Sequence, residues 1–271
     1  MTTNLLRTAS LALSLTLLFV TTGCDHRSVP TPAQLPNVPF YVLTDDNQLA
    51  RYNVNALTMP GASVAITGLQ AGEQLLDIDF RPANNMLYGV GSSSRVYVIN
   101  PMTGAATAVG AGPFSPVLVA GASVAIDFNP TVDRLRLVGS TGQNLRLNVD
   151  TGVVAANDGV INGVSGASVT DVAYINNVPT ATTTVLYDID VTTSRFYQQA
   201  PPNNGTLAMP FNDGLTFTAT NGFDVSPSGQ SLAGLTINGT VELISVTLST
   251  GRTQKVGTLP ANTLALAIPT N

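Results

Sequence analysis

The chain has no tryptophan, one cysteine (Cys24), one histidine (His26), one lysine (Lys255) and two glutamates (Glu73 and Glu242) in 271 residues. Each shortage removes a class of chemistry. A lone thiol forms no disulfide within the chain, so stability has to come from packing. His26 lies in a proline-bearing N-terminal stretch, which excludes a Ser-His-Asp or Cys-His nucleophile system and a histidine-based metal centre from the folded part. The two glutamates sit far apart, which argues against a Glu pair for hydrolysis. Only 10% of residues are charged, with 11 basic against 16 acidic. Nucleic acid demands clusters of Lys and Arg to displace its counterions, so no nucleic-acid partner is expected. Helical periodicity is missing too: from Phe40 onward the apolar spacing is two, not 3.6.

What is present begins with a leader. Arg7 precedes an apolar run, Ala9 to Val20, that ends in Thr21-Thr-Gly-Cys24. The run is too short to span a bilayer, which takes about 20 apolar residues. A charged start, an apolar middle and small residues before a cysteine match a cleavable lipoprotein signal over 1–23, although Thr21 stands where that pattern has Leu. The mature chain then starts at a lipidated Cys24, and acyl chains contribute about 0.8 kcal/mol per buried CH2 to membrane attachment. The 11 basic residues less Arg7 leave 10 against 16 acidic ones, a formal charge of −6. Residues 24–38 carry three prolines and no periodicity, and read as an extended tether. The expected location is the bacterial cell envelope, outside the cytoplasm and anchored to a membrane.

The remainder, 39–271, is read as one all-β domain. Arg134-Leu-Arg-Leu-Val138 and Asn144-Leu-Arg-Leu-Asn-Val149 alternate strictly, and turn signals such as Asp45-Asp-Asn, Met102-Thr-Gly and Asp150-Thr-Gly separate the runs. The strands repeat. Leu75-Leu-Asp-Ile-Asp-Phe-Arg-Pro82 matches Ser123-Val-Ala-Ile-Asp-Phe-Asn-Pro130 and Gly222-Phe-Asp-Val-Ser-Pro227, with Ser168-Val-Thr-Asp-Val-Ala-Tyr174 as a weaker copy. Asp79, Asp127, Ala173 and Asp224 are then equivalent, at steps of 48, 46 and 51 residues. A four-stranded unit of that period is a propeller blade. Complete units fall at 74–111, 122–158, 168–211 and 220–259. The segment 39–70 supplies three more strands and 262–268 supplies one. Three and one make a fifth blade closed by both termini, which removes open sheet edges. The expectation is a single five-bladed propeller; the alternative is a six-bladed ring with a further unit in 200–222.

Several runs together resemble a known family. They are Leu76-Asp-Ile-Asp-Phe-Arg-Pro82, Leu87-Tyr-Gly-Val-Gly91, Ile126-Asp-Phe-Asn-Pro-Thr-Val-Asp-Arg134, Gly142-Gln-Asn-Leu-Arg-Leu-Asn148 and Pro201-Pro-Asn-Asn-Gly-Thr-Leu207. The family is the bacterial domain of unknown function 4394, and the likeness covers about 40–268. It implies a propeller-like repeat and export, and it brings no activity and no catalytic residue.

Two sets of side chains stand out. Arg134 and Arg136 share one strand face and Arg146, flanked by Asn144 and Asn148, lies on the next strand. Guanidinium groups between blades have to find partners, because burying an unpaired charge is costly. They are expected either to pair with Asp127, Asp133 or Asp150, or to form an anion or sugar site of Arg134, Arg136, Arg146 and Asn144. Aspartates two apart, Asp77 with Asp79 and Asp188 with Asp190, offer a pair for acid–base work or caps for turns and backbone N–H groups. Asp45-Asp-Asn47, Asn157-Asp-Gly159 and Asn212-Asp-Gly214 put oxygen donors in loops, so calcium is conceivable, but no specific calcium motif is present and no cofactor is assigned. The function expected is a lipid-anchored binding module for an envelope protein or glycan. The alternatives are a metal-assisted hydrolase or lyase using axial aspartates, and a purely structural envelope protein.

Overall fold

The computed structural model describes residues 36–271; Cys24, the leader and most of the tether lie outside them. Twenty strands form five four-stranded antiparallel sheets. Blade I is β1 (Pro39–Thr44), β2 (Gln48–Asn53), β3 (Val64–Ala65) and, at the far end of the chain, β20 (Thr263–Ala267). Blade II is β4 (Leu75–Arg81), β5 (Met86–Gly91), β6 (Arg95–Ile99) and β7 (Ala106–Val109). Blade III is β8 (Val124–Asn129), β9 (Arg134–Gly139), β10 (Asn144–Asn148) and β11 (Val153–Asn157). Blade IV is β12 (Val169–Tyr174), β13 (Leu186–Asp190), β14 (Arg195–Gln199) and β15 (Leu207–Phe211). Blade V is β16 (Ala219–Val225), β17 (Ser231–Ile237), β18 (Thr240–Thr247) and β19 (Arg252–Thr258).

The first strands β20, β4, β8, β12 and β16 touch in succession around a ring, so they line its axis. This is the five-bladed propeller. The six-bladed alternative fails because 200–222 holds a short 3-10 turn (Pro202–Asn204), the outer strand β15 and the start of β16, with no further sheet. Closure follows the three-plus-one count. Tyr41 pairs with Ala267, Val42 with Leu266 and Leu43 with Ala265. Val38 is already buried against the V–I core, so packing starts one residue before the expected domain boundary.

Alternation places the core between the blades. Residues facing one way from a sheet meet those facing back from the next, and five apolar clusters result, one per junction. Leu135, Leu137, Leu145 and Leu147 face blade II, whereas Arg136, on the opposite face of β9, faces blade IV. The III–IV cluster is the smallest of the five, and polar groups fill the difference. Close approach of first strands has its own requirement. Gly222 (φ 106°) passes β20 so tightly that a Cβ there would lie 2.2 Å from the Leu266 backbone nitrogen.

The closing strand is therefore expected to be indispensable. Removing residues 262–271 should abolish cooperative urea unfolding. Leu266→Ala, at a position 2% exposed, should lower stability by about 2–5 kcal/mol while leaving a cooperative transition.

Candidate functional site

A first strand has a sheet partner on one side only, so its axial edge carries backbone N–H groups with no ladder acceptor. Aspartates from the preceding blade fill that gap. Asp77 accepts from Ile126 N (2.6 Å) and Asp79 from Phe128 N (2.7 Å), joining blade II to blade III. Asp127 accepts from Tyr174 N (3.0 Å), joining III to IV; Asp171 accepts from Gly222 N (2.9 Å), joining IV to V. Asp224 accepts from Ile268 N (2.6 Å), joining V to I. The second oxygens of Asp77, Asp79 and Asp224 take the N–H of the following residue, at 2.8, 2.6 and 2.5 Å. Junction I–II has no such acid, because β20 carries Ala265 and Ala267 at these levels. There Asn47 bridges instead, accepting from Leu75 N at 2.9 Å and donating to Glu73 O at 3.3 Å.

These five carboxyl groups are buried and crowd one another. Single oxygens of Asp79, Asp127 and Asp224 all lie within 4.8 Å of each other. Burial, followed by the charges of neighbouring aspartates, pushes Asp77, Asp79 and Asp127 well above the usual carboxyl range. Burial raises Asp171 and Asp224 to about 7, opposed by the backbone donors. Near neutral pH part of this axis holds protons, which relieves the repulsion.

One end of the axis opens into a depression of about 650 Å³. Every first strand contributes to it near its start, through Leu76, Val124, Thr170, Ala219 with Thr220, and Leu264. Asp77 and Asp171, each 5% exposed, form its floor. Ser92, Ser123, Ser168 and Thr218 add hydroxyls, the loop Leu118–Ala122 forms one wall, and no Lys or Arg lines it.

The guanidinium cluster lies elsewhere, in the III–IV junction. Arg136 is 1% exposed and spends its donors on the protein: Nη1 on Asp158 Oδ2 (2.6 Å) and Asn144 Oδ1 (2.8 Å), Nη2 on Asn203 Oδ1 (2.7 Å), Nε on Tyr174 Oη (3.2 Å). Arg146 grips the same carboxylate through Nε (2.7 Å) and Nη2 (2.8 Å). Burial alone would raise Asp158, but hydrogen bonds from Arg146 and Arg136 outweigh it and hold the carboxyl below its usual range. Asn144, also 1% exposed, donates to Gly159 O and Pro202 O. Arg134 stands apart from this set and donates to Asp133 O (2.8 Å). The structure thus brings Arg136, Arg146 and Asn144 together and leaves Arg134 out. Their acid is Asp158, not Asp127, Asp133 or Asp150. Asp133 and Asp150 both pair with Arg81, at 2.5 and 2.9 Å.

Other expected donors have local duties. Asp190 caps Ser168 N, Thr192 N and the Thr193 hydroxyl. Asp46 accepts from Thr44 and Asn262, Asp213 from Thr253, and Asp158 from the two arginines. Asp188 differs: it is fully buried and neither oxygen has a partner among the described residues. Burial raises it well above the carboxyl range, opposed only by Arg136. The sequence pattern singled out neither Asp171 nor Asn203 as a site residue, and offered Asp158 only as an oxygen donor in a loop. Asp171 carried a signal, since it stands at the level of Asp77 in the aligned repeat.

The chain belongs to a family described as a domain of unknown function (DUF4394), whose profile matches residues 48–268. No curated protein matches it. Among solved structures, the chain is similar to a protein of unknown function from Bacteroides thetaiotaomicron, at 16% identity and a TM-score of 0.48 over 83% of this chain and 58% of that one. Chaetomium thermophilum Raptor matches at 12% identity and a TM-score of 0.47, over 83% of this chain and 20% of that one.

Two outcomes follow from the carboxyl groups and the network. Asp171 and Asp224 bind protons more tightly folded than unfolded, so their stabilising effect is complete below the unfolded value and is lost as pH rises through about 7. The melting temperature should be several degrees higher at pH 5 than at pH 8, and Asp224→Asn should flatten that slope in calorimetric scans. Arg136→Met leaves Asn144 and Asn203 short of a donor and should lower stability by about 3–5 kcal/mol in urea titrations. Arg134→Met, at a partly exposed side chain, should stay within about 0.5 kcal/mol.

Proposed function

We propose that this protein is an extracytoplasmic binding module, anchored through Cys24 and a tether, whose axial mouth receives an apolar peptide segment of an envelope protein. The mouth carries this reading: all five first strands contribute to it. A site assembled from every blade is rigid, because no contributing strand can move without its ring neighbours. Its chemistry suits a peptide. Leu76, Leu118, Val124 and Leu264 offer apolar contact, while serine and threonine hydroxyls can donate to or accept from a peptide backbone. The rim supports a protein partner over a small solute. Val117 and Val119 are 57% and 45% exposed on the loop beside the mouth. Val119 also lines the mouth next to Leu118, so apolar surface runs from the mouth onto this loop. The loop joins β7 to β8 with no regular structure, and connections of that length are commonly functional.

The test is a selection of phage-displayed random peptides on the full-length protein, with binding remeasured on Val119→Asp and on Thr220→Trp, which fills the mouth. Apolar peptides that bind the parent and lose about tenfold or more on both variants are the expected result. Failure to enrich any peptide, or peptides indifferent to both substitutions, would overturn the reading. A glycan that binds at the mouth in place of peptides would overturn it equally.

A further inference from the structure

At the end of the ring opposite the mouth, where β8 and β12 finish, blades III and IV frame a pocket of about 420 Å³. Asn129, Thr131, Arg146, Tyr174, Thr183 and Asn203 line it, and no carboxylate does. Arg136 and Arg146 share the single carboxylate of Asp158. Asp188 is buried on blade IV with no hydrogen bond among the described residues, so it does not share in gripping either arginine. Two guanidinium groups therefore depend on one hydrogen-bonding carboxylate.

The donors left over point to the same place. Arg146 uses Nε and Nη2 on Asp158, and its Nη1 has no hydrogen bond among the described residues. Its side chain is 29% exposed, on the pocket wall. Arg136 Nη2 fixes Asn203 Oδ1, which leaves the Asn203 amide nitrogen free to donate. Thr183 Oγ1 lies 3.5 Å from Asn176 Nδ2 as an acceptor, so its hydroxyl proton is also available.

We propose that this pocket is an oxyanion site, taking a carboxylate or phosphate group of a ligand on Arg146 Nη1, Asn203 Nδ2 and the Thr183 hydroxyl. An anion there gives Arg146 a second acceptor beside Asp158, and two of the donors are held in place before it arrives. Such charge-assisted bonds are the strong ones. The site is separate from the axial mouth and does not depend on what the mouth binds.

The test is calorimetric and NMR titration of the full-length protein with inorganic phosphate and with glucuronate, at constant ionic strength set by chloride. Saturable binding of at least one anion is expected, weakened about tenfold or more by Arg146→Gln, the loss of one charge-assisted contact. Arg146→Gln also disturbs Asp158, so Thr183→Trp provides a second variant that fills the pocket and leaves the arginine pairs intact; it should abolish binding. Tighter phosphate binding would assign a phosphate-bearing ligand, and tighter glucuronate binding a carboxylate-bearing one. No saturable binding, or binding indifferent to both variants, would overturn the proposal. Thr220→Trp at the mouth should leave anion binding unchanged, so this site and the mouth stand or fall separately.

Discussion

The ring depends on the bond from an aspartate of one first strand to the backbone N–H of the next. A propeller blade solves its own hydrogen bonding except along the axial edge, where donors face a narrow channel. Water could satisfy them only by filling that channel. Asp77, Asp79, Asp127, Asp171 and Asp224 do so covalently fixed to the neighbouring blade, so each bond also sets the distance and angle between two sheets. The consequence is crowding. Five acids share the axis with no lysine or arginine among their hydrogen-bond partners, and they stay together because burial lets some of them keep their protons. Axial order and proton content are thus linked.

The junctions are not equivalent, and the differences follow from which side chains the repeats lost. At I–II the strand that closes the ring has alanine where the others have acid, so Asn47 and the apolar cluster around Tyr41, Leu75 and Phe80 hold that seam. At III–IV the apolar cluster is small, and Arg136, Asp158, Arg146, Asn144 and Asn203 occupy the remaining space. A buried network of that kind is sensitive to the loss of any member, because removing one leaves another unpaired. It also fixes blade IV against blade III with a specificity that aliphatic packing alone does not supply.

Much of the fold was legible in the chain. The recurring first-strand pattern around Asp79, Asp127, Ala173 and Asp224, at steps of 48, 46 and 51 residues, set the blade count, and the surplus of three strands at one end and one at the other set the closure. What stayed hidden was the purpose of the landmarks. Asp79, Asp127 and Asp224 marked equivalent positions, yet their partners lie one blade onward, and a strand pattern says nothing about contacts between sheets. Asp158 illustrates the same limit. In sequence it belongs to an Asn-Asp-Gly turn, which reads as a β-turn or an oxygen donor for an ion. In the ring that turn returns beside β10, and its carboxylate meets two arginines from strands laid down earlier. Asn203 was out of reach for the same reason, since it comes from the 3-10 turn of the following blade.

The distribution of charge sets the two ends of the molecule apart. Acidic groups run along the axis and end on the floor of the mouth, where burial holds Asp171 at about 7 and Asp77 well above the usual range. A ligand anion would meet repulsion there whenever those groups ionise, and little attraction when they do not. At the other end, in the III–IV junction, Arg136 and Arg146 share the carboxylate of Asp158, and the pocket beside them is walled by Arg146 and neutral donors, with no carboxylate. Both ends are built from strand termini, which change without disturbing the cores between blades, so each can be tuned while the ring persists. On the two proposals above, an anionic group would be drawn to the junction and a neutral apolar segment to the mouth. The same first strands would then serve two chemically different ligands, one at each of their ends.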